Sequence, residues 1–309
     1  MVPEKTGDWR PFGDYHALNK GTVLKRYLIP SIEDSMSPLC GCTILINVDL
    51  QLPGSEEESS PPEPPHAAAR DYLRRLLVEA PVLSSWMLAL HRGLCRRSWL
   101  PTRCCIGVDL CCGPTLHQAA VLSRFTSKVY LADPEPANRA ALRSWLEHEP
   151  DCPDYTPFLA LAAAAEGLSE DEVGASLVES RLRDAVRGVL HCNLAGGATA
   201  DQRCLLPVKA DVVFLLTRVL EDLQPGGANP GVHVAPLTRV RRVLRSGGLL
   251  ALAGITSPTL GFKEALEDAL ITAGYGNLAW STTDFERPAC PSTRSFLVLS
   301  NVIWPEDER

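Results

Sequence analysis

The sequence predicts an α/β fold: a mainly parallel sheet with an antiparallel edge strand and helices on both faces. Three observations predict it. Short apolar runs alternate with amphipathic helical segments through most of the chain, which is how a parallel sheet crossed by helices reads. One stretch, Cys104–Pro136, reads as strand, loop, helix, strand and acid within the length of a single βαβ unit. The last two apolar runs, finally, follow one another with no helix between them, so they form an antiparallel pair at the edge.

The elements follow in order. Residues 1–51 do not share the alternation, and residues 52–66, rich in Pro, Ser and Glu, cannot bury enough apolar surface to order themselves. They are expected to form a disordered linker ahead of a domain spanning residues 67–304, with a tail at 305–309. Residues 67–98 carry Leu73, Leu76, Leu77, Leu83, Trp86, Leu90 and Leu94 at helical spacing, with Pro81 splitting the helix in two. The βαβ unit is followed by a helix over 136–148, a loop over 151–157 and an alanine-rich helix over 158–166. Ser169 and Glu172 have capping-box spacing and open a helix running towards Arg187. Strands are expected at 189–194 and 210–216, a helix at 235–244, a strand at 249–253 and a helix at 261–273. The final two strands are expected at 278–283 and 295–300.

Within the βαβ unit, Ile106–Val108 ends in Asp109, and the loop Cys111-Cys112-Gly113-Pro114-Thr115 leads into a helix from Leu116. A second apolar run, Val129–Ala132, ends in Asp133. A loop leaving a strand's carboxyl end needs small residues if its backbone is to approach a ligand. An acid at the end of the next strand can accept hydrogen bonds from both hydroxyls of a ribose. The loop is not G-x-G-x-x-G and has no P-loop lysine, which disfavours a pyrophosphate and points to a nucleoside without phosphates, S-adenosylmethionine being the candidate. The alternative is a βαβ unit whose acids only cap helices.

Composition narrows the classes. A hydrophobic content of 45% is ample for a core, and a net charge of −7 disfavours nucleic-acid binding by the chain as a whole. Eleven cysteines lack framework spacing, and the adjacent pairs Cys104-Cys105 and Cys111-Cys112, in or beside apolar strands, read as buried reduced thiols. Cys40-Gly41-Cys42 has no partner pair with zinc-site spacing, so no metal is expected. The charged first thirty residues contain no signal-peptide core, and no run reaches the 18 or so apolar residues of a membrane helix. A soluble, cytoplasmic protein without membrane association is expected.

Two resemblances add to this reading. Residues 4–50 resemble the start of the reverse-transcriptase domain of Gypsy-type LTR retrotransposons, through Trp9-Arg10-Pro11, Gly13-Asp14-Tyr15, Leu18-Asn19 and Val48-Asp49-Leu50. In that family the acid matching Asp49 is a metal-binding carboxylate, but a polymerase needs further carboxylates to hold two metals. The chain has no Asp-Asp dipeptide, so polymerase activity is excluded.

Residues 67–304 resemble the class I methyltransferases of the nicotinamide, phenylethanolamine and thioether N-methyltransferase family. The motifs are Asp71-Tyr72-Leu73, Asp109-Leu110-Cys111-Cys112-Gly113-Pro114-Thr115, Asp133 with Asn138, Val189-Leu190-His191-Cys192-Asn193 and Leu244-Arg245-Ser246-Gly247-Gly248. The resemblance implies a Rossmann-like sheet, S-adenosylmethionine as cofactor and a small-molecule amine or heteroaromatic acceptor. It implies that Tyr72 lies over the cofactor, that Cys111, Gly113 and Thr115 form the loop against its methionine end, and that Asp133 holds the ribose with Asn138 in support. Asn193 and Leu194 would flank the adenine. His117 stands where the family has tyrosine; it is either a cofactor contact or a polar residue on the first turn of a helix. No catalytic residue is implied. Cys111 replaces the family's usual glycine, Leu77 a second lid tyrosine, and Asn193 an acid. After the strand at 249–253 the family's acid and aromatic cover are missing. Two readings of function stay open: a small-molecule N-methyltransferase, and a methyltransferase-like protein with weak or no catalysis. A nucleic-acid-binding polymerase remnant is the remote third.

Overall fold

The computed structural model describes residues 2–3, 9–10, 66–96, 105–194, 209–216, 234–256, 262–287 and 290–303. The chain divides into two compact units, Met1–Leu50 and Gln51–Arg309. In the first, β1 (Val2–Pro3) pairs antiparallel with β2 (Trp9–Arg10). Asp49 and the rest of the retrotransposon-like motifs lie outside the described residues, as does the linker at 52–65.

The second unit begins with α1 (Ala67–Leu77) and α2 (Ala80–Cys95), separated where Pro81 sits in the first turn of α2, a position where its missing N–H costs nothing. One face of α2 buries Val82, Leu83, Trp86, Met87, Leu90 and Leu94. Then come β3 (Ile106–Leu110), α3 (His117–Leu122), β4 (Lys128–Asp133), α4 (Pro136–Leu146), α5 (Thr156–Ala165), α6 (Glu172–Ala185), β5 (Val186–His191) and β6 (Ala210–Leu216). The chain continues through α7 (Val234–Val243), β7 (Leu244–Thr256), α8 (Phe262–Thr272), β8 (Tyr275–Arg287) and β9 (Cys290–Val302).

Seven strands form one sheet in the order β5-β4-β3-β6-β7-β9-β8. β3 through β7 are parallel; β9 runs antiparallel to both β7 and β8. The antiparallel pair closes the edge, with the reversed strand β9 one place in and β8 outermost. Side chains alternate across the sheet. Leu249, Ala251 and Ala253 enter the core shared with α1 to α6, whereas Leu250 and Leu252 enter the core shared with α7 and α8. α2 lies close on β9, since a Cβ built on Gly93 would stand 2.3 Å from Leu299 Cδ1.

Several boundaries move relative to the sequence reading. α5 starts at Thr156 because Pro157 is accommodated in its first turn. α6 is capped by Asp171, whose carboxylate accepts from the N–H groups of Val173 and Gly174, and Ser169 instead donates to Asp171 Oδ1. β5 begins at Val186 directly from α6, three residues earlier than expected. β7 includes Arg245–Gly248, where its register with β6 jumps from Ala210↔Leu244 to Val212↔Leu249.

The strand order reverses between β3 and β6. The chain winds outward from β3 through β4 to β5, then returns to the other side of β3. The crevice above the carboxyl ends at such a point is where open α/β sheets bind ligands.

Candidate cofactor site

The loop leaving β3 at this reversal is tied to β4 by two backbone donors. The N–H of Cys112 donates to the carbonyl of Ala132 (3.2 Å), and that of Gly113 to Asp133 Oδ2 (2.7 Å). Asp133 ends β4 and is buried. Its Oδ1 accepts from the N–H of Glu135 and from Asn138 Nδ2, both at 2.9 Å. Three N–H donors on a carboxylate with about four acceptor positions leave one open. Direct acceptance from both ribose hydroxyls, as the acid's position suggests, therefore requires a donor to yield.

Two backbone conformations shape the loop. Gly113 has φ +61° with nothing within 4 Å of an added Cβ, so its outer side is open to a ligand. Cys111 has φ +53°, a left-handed conformation that suits glycine. Burial, and then the charges of Asp133 and Asp109, push the Cys111 thiol up to about 12, so it stays protonated. Asp109 on β3 is fully buried with Oδ2 unpartnered. Burial raises its carboxyl well above the usual range, the backbone N–H of Ala119 opposes the rise, and the charge of Asp133 adds to it.

The remaining expected residues divide into two groups. Thr115 and His117 face inward. The Thr115 hydroxyl is directed at the Cys112 carbonyl (2.6 Å) and Gln118 Oε1 (3.1 Å), and the residue is buried. His117 is 1% exposed, stacks on Phe158 with ring centroids 5.8 Å apart, and leaves both ring nitrogens unpartnered. Burial lowers its pKa to about 3. The inward placement favours the interior-residue reading of His117 over a cofactor contact. Leu194 is buried too, its carbonyl accepting from Arg239 Nη1. Asn193 and Tyr72 are partly buried. Asn193 lies two residues beyond His191, the β5 partner of Asp133 across the sheet, and Tyr72 packs against the larger core from α1. Asp109 was legible as a strand-ending acid, but its complete burial was not. It follows from β3 lying at the centre of the sheet, which the pattern of one strand does not reveal.

The residues present fit an S-adenosyl ligand. Gly113 gives an uncovered cradle, Asp133 and Asn138 give polar groups beside it, and Asp109 gives a buried oxygen without a partner. Among the described residues no cluster of His, Cys, Asp and Glu could hold a metal ion, and no helix is long and apolar enough to cross a membrane. Cys95, Cys105, Cys111, Cys112 and Cys152 are free thiols, whereas Cys192 is disulfide-bonded.

A model of the NNMT/PNMT/TEMT family matches residues 82–261, more than half of the chain. The chain is 27% identical over 181 residues to nicotinamide N-methyltransferase of Homo sapiens, covering 54% of this chain and 65% of that protein. It is 26% identical over 205 residues to indolethylamine N-methyltransferase of Oryctolagus cuniculus, covering 60% and 72%. To phenylethanolamine N-methyltransferase of Sus scrofa it is 27% identical over 175 residues, covering 56% and 55%. It thus spans less than two thirds of the nicotinamide and phenylethanolamine relatives' own length. Among solved structures it is similar to magnesium protoporphyrin IX methyltransferase from Synechocystis PCC 6803 with bound SAH, with a TM-score of 0.45 and 12% identity, over 77% of this chain and 95% of that one. The chain belongs to the NNMT/PNMT/TEMT family, a family of S-adenosylmethionine-dependent methyltransferases.

Proposed function

We propose that residues 67–304 transfer a methyl group to the nitrogen of a small amine or heteroaromatic acceptor. The observation that carries this reading is the tie between loop and acid: Gly113 N–H on Asp133, with Asn138 beside it, at the reversal of strand order. Bound S-adenosylmethionine supplies an electrophilic methyl carbon on a sulfonium. Asp133 and Asn138 would hold its ribose, the backbone of Cys111–Gly113 would lie against its methionine end, and Tyr72 and Asn193 would flank it. The protein's part is to hold donor and acceptor in line. A neutral amine or pyridine nitrogen already has its lone pair, so no general base is obligatory.

One observation favours the second reading, a cofactor-binding fold with weak transfer. β7 runs to Thr256 and α8 starts at Phe262, so residues 257–261 are the whole connection. Five residues are too few for an aromatic cover over an acceptor, and an uncovered acceptor loses positioning contacts and admits water. The two readings part in a methyl-transfer assay with nicotinamide and phenylethanolamine. Slow transfer is expected with both. Turnover at the roughly 1–10³ per second usual for enzymes would show that other segments supply the cover. We place the protein in the cytoplasm: among the described residues five free cysteines support a reducing compartment, against which stands the Cys192 disulfide.

A further inference from the structure

The turn and helix between α5 and β5 carry a surface that the methyltransferase reading does not use. Six large apolar residues are exposed among the described residues, and three of them, Leu168, Val173 and Leu177, fall within ten residues of one another. Val173 is 65% exposed and Leu177 57%; four residues apart on α6, they share one helix face. An open groove of about 540 Å³ runs along this face, lined by Thr156 of α5 and by Glu172, Val173, Ser176 and Leu177 of α6. Exposed apolar residues gathered beside a groove and rimmed by polar groups are the pattern of a protein-interaction site.

The charges around the stripe select what does. Glu170 and Glu172 flank it, both exposed and without a basic partner among the described residues. Asp154 is exposed two residues before Thr156. Among the described residues the nearby arginines are engaged: Arg181 is held by Glu166, Arg183 by Glu179 and the carbonyls of Trp145 and Leu146, and Arg70 donates to the carbonyl of Asp151. The rim is therefore negative around an apolar centre. We propose that this face of α6 docks a basic amphipathic helix of a partner protein, with apolar residues at helical spacing on Val173 and Leu177 and Lys or Arg facing Glu170, Glu172 and Asp154. Helix-in-groove recognition uses this combination of apolar anchors and complementary rim charge.

The test uses the full-length protein and a fluorescent synthetic peptide, helical, with leucines along one stripe and lysines elsewhere. Its twin carries glutamates in place of the lysines. Anisotropy should show saturable binding of the lysine peptide that weakens as salt is added. Val173→Ser/Leu177→Ser should weaken it at least roughly tenfold, and so should Glu170→Lys/Glu172→Lys, which leaves the apolar stripe in place. The glutamate twin should not bind. Equal affinity for wild type and either double variant would overturn the proposal, as would equal binding of the twin. Concentration-dependent dimerisation of the wild type, abolished by the serine pair, would also overturn it, because the occupant would then be a second copy of the chain.

Discussion

Cys111 holds a backbone conformation that glycine adopts freely and that costs other residues roughly 1–2 kcal/mol. Cys111→Gly should remove that strain while adding some chain entropy to the unfolded state, for a net gain of about 0.5–1 kcal/mol. It should also tighten S-adenosylmethionine, because the loop then presents backbone alone; looser binding in calorimetry would mean that the thiol makes a useful contact. His117 makes a pH-dependent prediction. The unfolded chain takes up a proton at this residue near pH 6.5, whereas the folded protein does so only near pH 3. The stability this residue supports is complete above pH 6.5 and falls as pH drops from 6.5 to 3, by about 1.4 kcal/mol per unit. His117→Phe, which keeps the stack on Phe158 and removes two orphaned nitrogens, should show less of this loss in urea melts at pH 7.5 and pH 5. An identical pH slope in the two proteins would contradict the burial of a neutral imidazole. Neither property was legible from single residues. The sequence marked Cys111 as a departure from glycine, but its positive φ depends on where the loop meets β4.

At the scale of elements, the loop and β4 act as one unit through Asp133. Asp133→Ala removes the acceptor for Gly113, Glu135 and Asn138 together, so it should loosen the loop as well as weaken cofactor binding at least roughly tenfold. Unchanged affinity in a folded variant would remove Asp133 from the site. The start of α6 depends on Gly174, where a Cβ would come within 1.9 Å of the Ser169 carbonyl oxygen. Gly174→Ala should therefore destabilise by about 1–3 kcal/mol despite alanine's advantage of about 1 kcal/mol in helices, as thermal melts would report. The same glycine explains why Asp171 rather than Ser169 caps the helix. Ser169 and Glu172 have capping spacing, but the Ser169 carbonyl packs on the Cα of Gly174, and that turn brings Asp171 to the helix N–H groups. Spacing along the chain does not encode such a through-space approach.

For the whole molecule, the alternation of strands and helices was enough to read a mainly parallel sheet, because each crossover leaves a local pattern. The place of β9 was not readable. Its pairing with β7 joins residues such as Leu249 and Asn301, far apart in sequence, and only the folded sheet shows that the last strand inserts between β7 and β8. The shortness of the connection between β7 and α8 was legible as a count of residues, though residues 257–261 lie outside the described residues. Removing residues 1–60 should leave the melting temperature of the remainder unchanged, since the proline- and glutamate-rich segment carries no core-forming pattern; a large drop would show packing against the second unit. A methyltransferase of this fold must take an S-adenosyl ligand in the crevice above β3 and β4. Calorimetric titration of the protein with S-adenosylmethionine and S-adenosylhomocysteine tests this most directly. Saturable binding of both, with one site per chain, is the predicted result; a folded protein that takes up no heat with either ligand would contradict it.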